Sequence, residues 1–269
     1  MNLVRCSEVF TMESVMTPSQ LYKTDAINLK SYPLKEADKI MVMYSKDCGL
    51  IKAVAKGTKK VKSSLGARME SFVANSVMLS KGRNMDVVSQ AETINSFSDT
   101  RKDLDKIFYS MYVTEVVNNF GTENDSASNE IYNILYKTLN SISNAKEKKE
   151  ILLAGMKFQL KIMKISGFLP EFNTCLNCGR EIEDEGYYSS EHFGVLCPAC
   201  LSEPGGKTVL HKKIREFLNY LTNSDFDIIT DYEVKATEKI CQACFDFLKN
   251  CLNKNSLKQI KTEKALSFV

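Results

Sequence analysis

The fold of the first half of the chain is decided by Asp38–Gly57, DKIMVMYSKDCGLIKAVAKG. Two short apolar runs, DKIMVMYS and GLIKAVAKG, flank the segment Lys46–Gly49. Such runs, joined by a few turn residues that end in glycine, are typical of a β-hairpin, because glycine readily adopts the positive φ that a tight turn requires. We therefore predict two antiparallel strands in this stretch.

Further apolar runs lie on both sides of this hairpin. Asp25–Ser31 precedes it, and Phe72–Ser80 and Met85–Phe97 follow it, with Lys81–Asn84 as the turn between the last two. About five closely spaced strands in roughly 75 residues indicate a small closed barrel, and barrels of the OB type have this size. The sequence therefore predicts an N-terminal five-stranded OB-fold β-barrel.

The period of the apolar residues changes after Ser98 and becomes helical. Asp99 is predicted to cap the first helix. Helices are expected around residues 104–116, 131–142, 151–163, 214–221 and 240–252. The predicted fold class is thus α+β multidomain, with an N-terminal extension (1–20), an OB-fold domain (21–97) and a helical domain (98–269) that contains an inserted cysteine module (172–203).

The composition is that of a soluble globular protein: 43% of the 269 residues are hydrophobic and 26% are charged. No window approaches the roughly 18 consecutive apolar residues of a membrane helix, and the N-terminus lacks the pattern of a secretory signal. We expect a cytoplasmic protein that does not contact a membrane. In that compartment thiols stay reduced, so paired cysteines indicate metal ligands or redox centres.

Two Cys-x-x-Cys pairs, Cys175/Cys178 and Cys197/Cys200, are separated by 18 residues. This spacing is typical of a zinc site, because two such turns can aim four sulfurs at one ion. Four thiolates leave no position for water, so a single structural Zn²⁺ is predicted. A redox pair, an empty site and an iron–sulfur cluster are the alternatives. His192 lies in the same segment, but four cysteines suffice without it.

A third pair, Cys241 and Cys244, is interpreted differently. It falls on an apolar helical stripe together with Ile240, Phe245 and Leu248. Because cysteine packs as a small apolar side chain, we predict a core position for this pair.

A basic stretch, Gly49–Arg68, contains no acidic residue. On a generic protein such a stretch would be a solvated surface, but OB barrels often bind single-stranded nucleic acid through a basic groove and stacking aromatics. Tyr44 and Phe72 are candidate stacking residues, although their apolar neighbours favour the core. The candidate DNA-binding residues are Lys52, Lys56, Lys59, Lys60, Lys62 and Arg68.

No catalytic constellation is recognisable. The chain has two histidines, His192 and His211, and neither lies in a nucleophile-elbow or zinc-protease motif. We expect a protein that is not an enzyme.

The order of these features resembles the RecO family of bacterial DNA-repair proteins. Glu36–Ser63 is similar to the family's N-terminal signature, and MESF (Met69–Phe72) stands where the family commonly has Leu-Glu-Pro-Phe. GFLPEFNTCLNCGR (Gly167–Arg180) and GVLCPAC (Gly194–Cys200) resemble its zinc-binding stretch. The resemblance covers about residues 22–255.

The resemblance implies a DNA repair and recombination mediator without enzymatic turnover, located in the cytoplasm at the nucleoid. Such proteins bind single- and double-stranded DNA, anneal complementary strands and, with RecR, help to load RecA onto DNA coated by single-stranded-DNA-binding protein. They recognise the acidic C-terminal tail of that protein. By position, Lys56, Lys59, Lys60 and Lys62 fall in the family's basic DNA-binding loop. Some members lack the cysteines, which fits a structural metal.

The sequence departs from the family pattern in two places, and two other functions remain as alternatives. This chain has about twenty residues before the first strand, where the family usually has few, and its ending LKQIKTEKALSF matches only loosely. The main alternative is a zinc-stabilised scaffold whose basic barrel contacts an acidic protein. A thiol oxidoreductase would additionally require a reactive Cys-x-x-Cys pair.

Overall fold

The structure is a computed structural model that describes residues 21–201, 208–226, 233, 235–262 and 266. The chain divides into two compact units. The first unit comprises the residues up to Asn144 together with those from Ile260 onward, and the second unit is Ala145–Gln259. The predicted extension, residues 1–20, and the last two residues of the predicted cysteine module lie outside the described residues. The predicted domains, 21–97 and 98–269, separate the strands of the barrel from the helices. That these two segments fold as independent units stays a prediction.

The first unit contains a closed five-stranded barrel in the order β1-β2-β3-β5-β4, in which β4 pairs back onto β1. β3 and β5 are parallel and the other neighbours are antiparallel. This is the predicted OB-fold barrel, and all five strands are where the sequence placed them. They are β1 (Leu21–Pro33), β2 (Lys39–Ser45), β3 (Gly49–Ala55), β4 (Ala74–Ser80) and β5 (Asp86–Asn95).

Alternation along the strands fills the barrel. In β3, Ile51, Ala53 and Ala55 are buried while Lys52 is exposed, as a period of two requires. Met41 and Met43 of β2 belong to the same buried cluster. Small and large side chains are mixed in this interior, which suits a narrow barrel.

The β2–β3 turn ends at Gly49, which has φ +67° as predicted. A Cβ at this position would lie 2.2 Å from the carbonyl oxygen of Thr122. The close approach permits a hydrogen bond, because Leu50 N donates to the same oxygen over 2.9 Å. Gly49 therefore allows the segment that follows the first helix to close onto the hairpin.

We expect Gly49→Ala to destabilise the first unit by about 2 kcal/mol more than Gly57→Ala. Both glycines have φ +67°, so both variants carry the strain of a left-handed backbone, but only Gly49 faces backbone atoms. Denaturant unfolding followed by far-UV circular dichroism measures the difference. Equal losses in the two variants would show that Thr122 moves aside without cost.

Two helices, α1 (Leu104–Phe120) and α2 (Ser128–Asn144), complete the first unit. The predicted cap of α1 is wrong: Asp99 lies in a short 3-10 helix and pairs with Lys102, and the cap is Asp103, whose carboxylate accepts from Lys106 N. Lys261 and Thr262 lie against α1, where the Glu115 carboxylate accepts from their backbone amides. That contact explains why the chain end groups with the first unit.

The second unit combines three helices with a small sheet. The helices are α3 (Lys148–Ile165), α4 (Lys212–Asn223) and α5 (Glu238–Asn255), and the antiparallel sheet β7-β6-β8 is formed by β6 (Glu185–Ser189), β7 (Gly194–Leu196) and β8 (Thr208–His211). On α5 the pair Cys241 and Cys244 is buried with Phe245, which confirms the predicted core position. Ile240, expected on the same stripe, is instead exposed, because it lies in the first turn of the helix.

The predicted fold class is confirmed: an OB-fold barrel is followed by helices, and a cysteine module is inserted among them. Among the described residues, no helix combines the length and the apolar character that crossing a membrane requires.

Candidate metal centre and basic surface

The structure brings the sulfur atoms of Cys175, Cys178, Cys197 and Cys200 together, all within 4.8 Å of one another. The sulfurs of Cys178 and Cys197 are 3.9 Å apart. In a tetrahedral site with metal–sulfur bonds of about 2.3 Å, the sulfurs are about 3.8 Å apart. The donor set and its dimensions therefore fit one four-coordinate metal ion.

Local backbone hydrogen bonds shape each half of the site. In the first turn, Gly179 N donates to Cys175 O over 2.9 Å and Cys175 N donates to Arg180 O over 2.8 Å. Gly179 has φ +70°, as the predicted tight turn requires. In the second turn, which follows β7, Cys200 N donates to Cys197 O over 3.0 Å. Both turns are thus set by their own backbone. Leu176 N of the first turn donates to Val195 O of β7 over 2.8 Å, which holds the first turn beside the strand that leads into the second.

The surroundings of the sulfurs favour a thiolate at Cys175. Burial raises the pKa of this thiol, but amide groups of Cys178, Cys197 and Asn177 that donate to the sulfur outweigh it and lower the pKa to about 6. One of these bonds, from Cys197 N, measures 3.4 Å. At Cys200 the Asn177 side chain lowers the pKa, but the thiols of Cys178 and Cys197 raise it to about 11. A cation held between the four sulfurs would stabilise the thiolate form of each of them.

The other histidine and cysteine candidates among the described residues are not part of this cluster. His192 is exposed, and its Nδ1 atom lies 3.1 Å from the Ser189 hydroxyl. Burial raises the pKa of Cys241 to about 11 and that of Cys244 to about 12, so these thiols are neutral at pH 7. Neutral, buried thiols are poor nucleophiles, which argues against a redox role for this pair.

Arg215 of α4 holds the cysteine module, and the sequence analysis missed it. Its side chain is 1% exposed. The guanidinium donates to the carbonyl oxygens of Phe172, Ile182 and Asp184, at 3.1, 2.7 and 3.0 Å, and to Asn173 Oδ1 at 3.0 Å. Burial lowers the pKa of Arg215 from its usual value. The only sequence signal was its spacing of three residues from the buried Leu218, which places an arginine on the apolar face of an amphipathic helix.

The predicted DNA-binding lysines are all exposed. Lys52 points outward from β3, and the segment that follows β3, here called the basic segment (residues 56–62), exposes its four lysines Lys56, Lys59, Lys60 and Lys62. Arg68 differs from them, because it is partly buried and its guanidinium donates to the backbone oxygen of Ser64. The structure therefore groups the five lysines on the barrel surface and uses Arg68 to hold the loop.

Hydrogen bonds fix the start of the basic segment against the β1–β2 loop. Gly57 N donates to the Asp38 carboxylate over 2.8 Å, and Lys59 N donates to Ala37 O over 3.2 Å. The Thr58 hydroxyl also donates to Ala37 O. Because the backbone is held, the lysine side chains project from a defined platform.

Two buried asparagines fix the far end of the loop. The side-chain amide of Asn28 donates to Arg68 O and Glu70 O, each over 2.7 Å, and that of Asn75 donates to Arg68 O over 2.8 Å. Both asparagines are fully buried in the barrel wall. A buried amide that satisfies loop carbonyls in this way ties the loop to the barrel strands.

The two candidate stacking aromatics are buried. Tyr44 is covered at the α1–α2 connection, where its hydroxyl donates to Asp125 over 3.0 Å. Phe72, two residues before β4, is also buried. Neither ring is available to a ligand, as their apolar neighbours indicated. An exposed aromatic of the barrel that the sequence analysis passed over is Tyr32 of β1.

Comparisons with known proteins agree with this architecture. The family described as "Recombination protein O N terminal" matches residues 16–97, and that described as "Recombination protein O C terminal" matches residues 101–264. DNA repair protein RecO of Acetivibrio thermocellus is 30% identical over 88% of this chain and 94% of its own length. Those of Dehalococcoides mccartyi and Desulforamulus reducens are 30% and 36% identical over 84% and 67% of this chain, and over 87% and 69% of their own lengths. The chain therefore belongs to the recombination protein O (RecO) family.

Proposed function

We propose that the protein is a DNA repair and recombination mediator. It binds single- and double-stranded DNA through Lys52 and the basic segment, and it anneals complementary strands without enzymatic turnover. With RecR it helps to load RecA onto DNA coated by single-stranded-DNA-binding protein, whose acidic C-terminal tail it recognises. It acts in the cytoplasm, at the nucleoid.

The observation that carries this proposal is the cluster of exposed lysines on an anchored loop of an OB barrel. Gly49–Arg68 contains no carboxylate that could neutralise them. Of the nearby carboxylates, Asp38 accepts from Gly57 N and Glu70 pairs with Lys39 at 2.9 Å. The lysines are thus available to phosphate groups, and each contact releases counterions from the strand.

The same surface supports the annealing part of this proposal. Two complementary strands repel each other through their phosphates, and a protein that neutralises part of that charge lowers the barrier to their encounter. Lysine suits this task because its flexible stem follows a mobile backbone and its ammonium group makes no base-specific contact. Sequence-independent binding is what a mediator of strand pairing requires.

We propose that the cysteine module holds one Zn²⁺ through Cys175, Cys178, Cys197 and Cys200. The ion would cross-link the two Cys-x-x-Cys turns and leave no position for water, so its contribution is structural. The sulfur–sulfur distances above support this assignment. Elemental analysis of protein purified without chelator tests it: one zinc per chain is expected, and iron would contradict it.

An annealing assay tests the proposed function. We expect the protein to speed the pairing of complementary oligonucleotides, with an effect that declines as salt rises because the phosphate contacts weaken. Fluorescence transfer between end-labelled strands measures the rate, with and without single-stranded-DNA-binding protein on them. The scaffold alternative predicts no acceleration and no mobility shift of either strand, together with binding of an acidic peptide.

A further inference from the structure

The outer face of β1, β2 and β3 presents two parallel rows of side chains. Strand register places Lys30, Val42 and Lys52 side by side in one row. Directly paired residues lie on the same face of a sheet. Since Met41 and Met43 point into the barrel, their neighbour Val42 lies on the outer side of the sheet with Lys30 and Lys52. Val42 is itself covered, at 3% exposed, whereas Lys30 is half-buried and Lys52 is exposed.

The second row consists of Tyr32, Ile40 and Val54. Tyr32 is 48% exposed, which is unusual for a tyrosine in a strand of a packed barrel, and Ile40 and Val54 are half-buried. The α1–α2 connection covers this side of the sheet at the other end, around Tyr44, and leaves the Tyr32 row open. The ring of Tyr32 thus lies on a small apolar strip at the surface.

Lysines surround this strip. Lys30 Nζ is 5.6 Å from the centre of the Tyr32 ring. Lys52 of β3 precedes Val54, and Lys56 follows the end of the same strand; both lysines are exposed. The Cα atoms of Lys30 and Lys52, two strands apart, are separated by about 10 Å. An aromatic ring framed by cations is the arrangement that single-strand-binding proteins use, where the ring stacks on a base and the cations follow the phosphates.

We propose that Tyr32 is a base-stacking residue, and that the face formed by Lys30, Tyr32, Ile40, Lys52 and Val54 takes an unpaired nucleotide of a single strand. This inference rests on the proposed function and deepens it, because it assigns the preference between single and double strands. The lysines contact phosphates of either form. Tyr32 contacts only a base that is free of its partner and its neighbours, so it favours the single strand.

Stacking makes a specific prediction for substitutions of Tyr32. We expect Tyr32→Ala to weaken binding of an oligothymidine by between about 5-fold and about 150-fold, the range found for loss of one stacking contact. Binding of a duplex is expected to change by less than about 2-fold, since its phosphates still meet the same lysines. Tyr32→Phe keeps the ring and should bind the oligothymidine as the wild type does. Fluorescence anisotropy measures all three.

The absence of tryptophan from the chain allows a direct report on stacking. Tyr32→Trp introduces one indole on the face, and a base stacked on it should quench its fluorescence. An abasic oligonucleotide of equal length supplies the phosphates alone and should bind without quenching. Ile94→Trp is the matched control, because Ile94 of β5 is 45% exposed on the same barrel, and no quenching is expected there.

The outcomes separate this inference from the proposed function. If the oligothymidine and the duplex both fail to bind the wild type, the proposed function and the inference fail together. If the oligothymidine and the duplex both bind, two results would overturn only the stacking role. One is an equal loss of affinity for both ligands in Tyr32→Ala, and the other is quenching of the Tyr32→Trp variant by the abasic strand as strong as by the thymidine strand. Loss of single-strand affinity in Tyr32→Phe would also contradict stacking, because the phenol hydroxyl would then be the contact.

Discussion

Replacing Lys56, Lys59, Lys60 and Lys62 with Glu is expected to lower the affinity for a single-stranded oligonucleotide by roughly 500-fold at about 0.1 M salt. Each phosphate contact contributes a slope of about 0.7 in the logarithmic dependence of affinity on salt. Loss of four contacts therefore flattens that slope by about 3 and removes the corresponding counterion-release free energy. The new carboxylates add repulsion to this loss.

The measurement is a salt titration of oligonucleotide binding, and the control matches the change in charge. Lys146, Lys212, Lys213 and Lys239 are also exposed, and they lie near the N-termini of α3, α4 and α5, where Glu is favourable to the helix. Their replacement with Glu alters the net charge of the chain by the same amount. A loss confined to the basic-segment variant shows local contacts with phosphates.

Equal losses in both variants would mean that the overall charge, and not the anchored loop, attracts DNA. Unchanged affinity and slope in the basic-segment variant would exclude this loop from binding. The fold is expected to survive the substitution, since these side chains are exposed and the loop is held by Asp38, Asn28 and Asn75 through backbone groups of the loop. Far-UV circular dichroism checks that point.

The barrel was predictable from sequence because its signals are local. The alternation in β3 and the glycine at position 49 each depend on neighbours a few residues away. The surface of the barrel was not, because it depends on register. Tyr32 and Lys52 share a face only because Tyr32 pairs with Ile40 of β2 and Lys52 pairs with Val42 of β2. The apolar pattern within a single strand does not reveal that register.

The cysteine module likewise has one feature that the sequence predicts and one that it does not. Its four cysteines were recognisable by spacing, because each pair forms one local turn. The role of Arg215 was not, since its acceptors Phe172 and Ile182 are 43 and 33 residues away. The spacing from Leu218 places Arg215 on the apolar side of the helix, but an arginine at such a position can still extend its guanidinium to solvent. Only the packing of the module onto α4 encloses it.

Removal of the metal ligands is expected to have a comparably large effect on the second unit. Cys175→Ser with Cys178→Ser should reduce bound zinc from one per chain to a trace, because a hydroxyl does not replace a thiolate on zinc. Zinc binding in small modules is worth about 10–16 kcal/mol at pH 7. The module has few buried side chains of its own, and a segment of that size rarely folds without such a cross-link.

The expected consequence is local unfolding, which limited proteolysis followed by mass spectrometry would place between residues 172 and 201. Cys241→Ala with Cys244→Ala is the matched control, because it alters a pair of the same spacing in the same unit that lies in the core. That variant should keep one zinc per chain and lose only about 1–2 kcal/mol of stability per site.

Loss of the metal is expected to leave the proposed DNA-binding loop of the barrel intact. The hydrogen bonds that anchor the basic segment come from Asp38, Asn28 and Asn75, all in the first unit. Oligonucleotide affinity of the Cys175→Ser, Cys178→Ser variant should therefore stay within about 3-fold of the wild type if the ion is purely structural. Retention of zinc by this variant would exclude these cysteines as its ligands. Loss of DNA binding together with the metal, while the barrel stays folded, would show that the module itself contacts the strand.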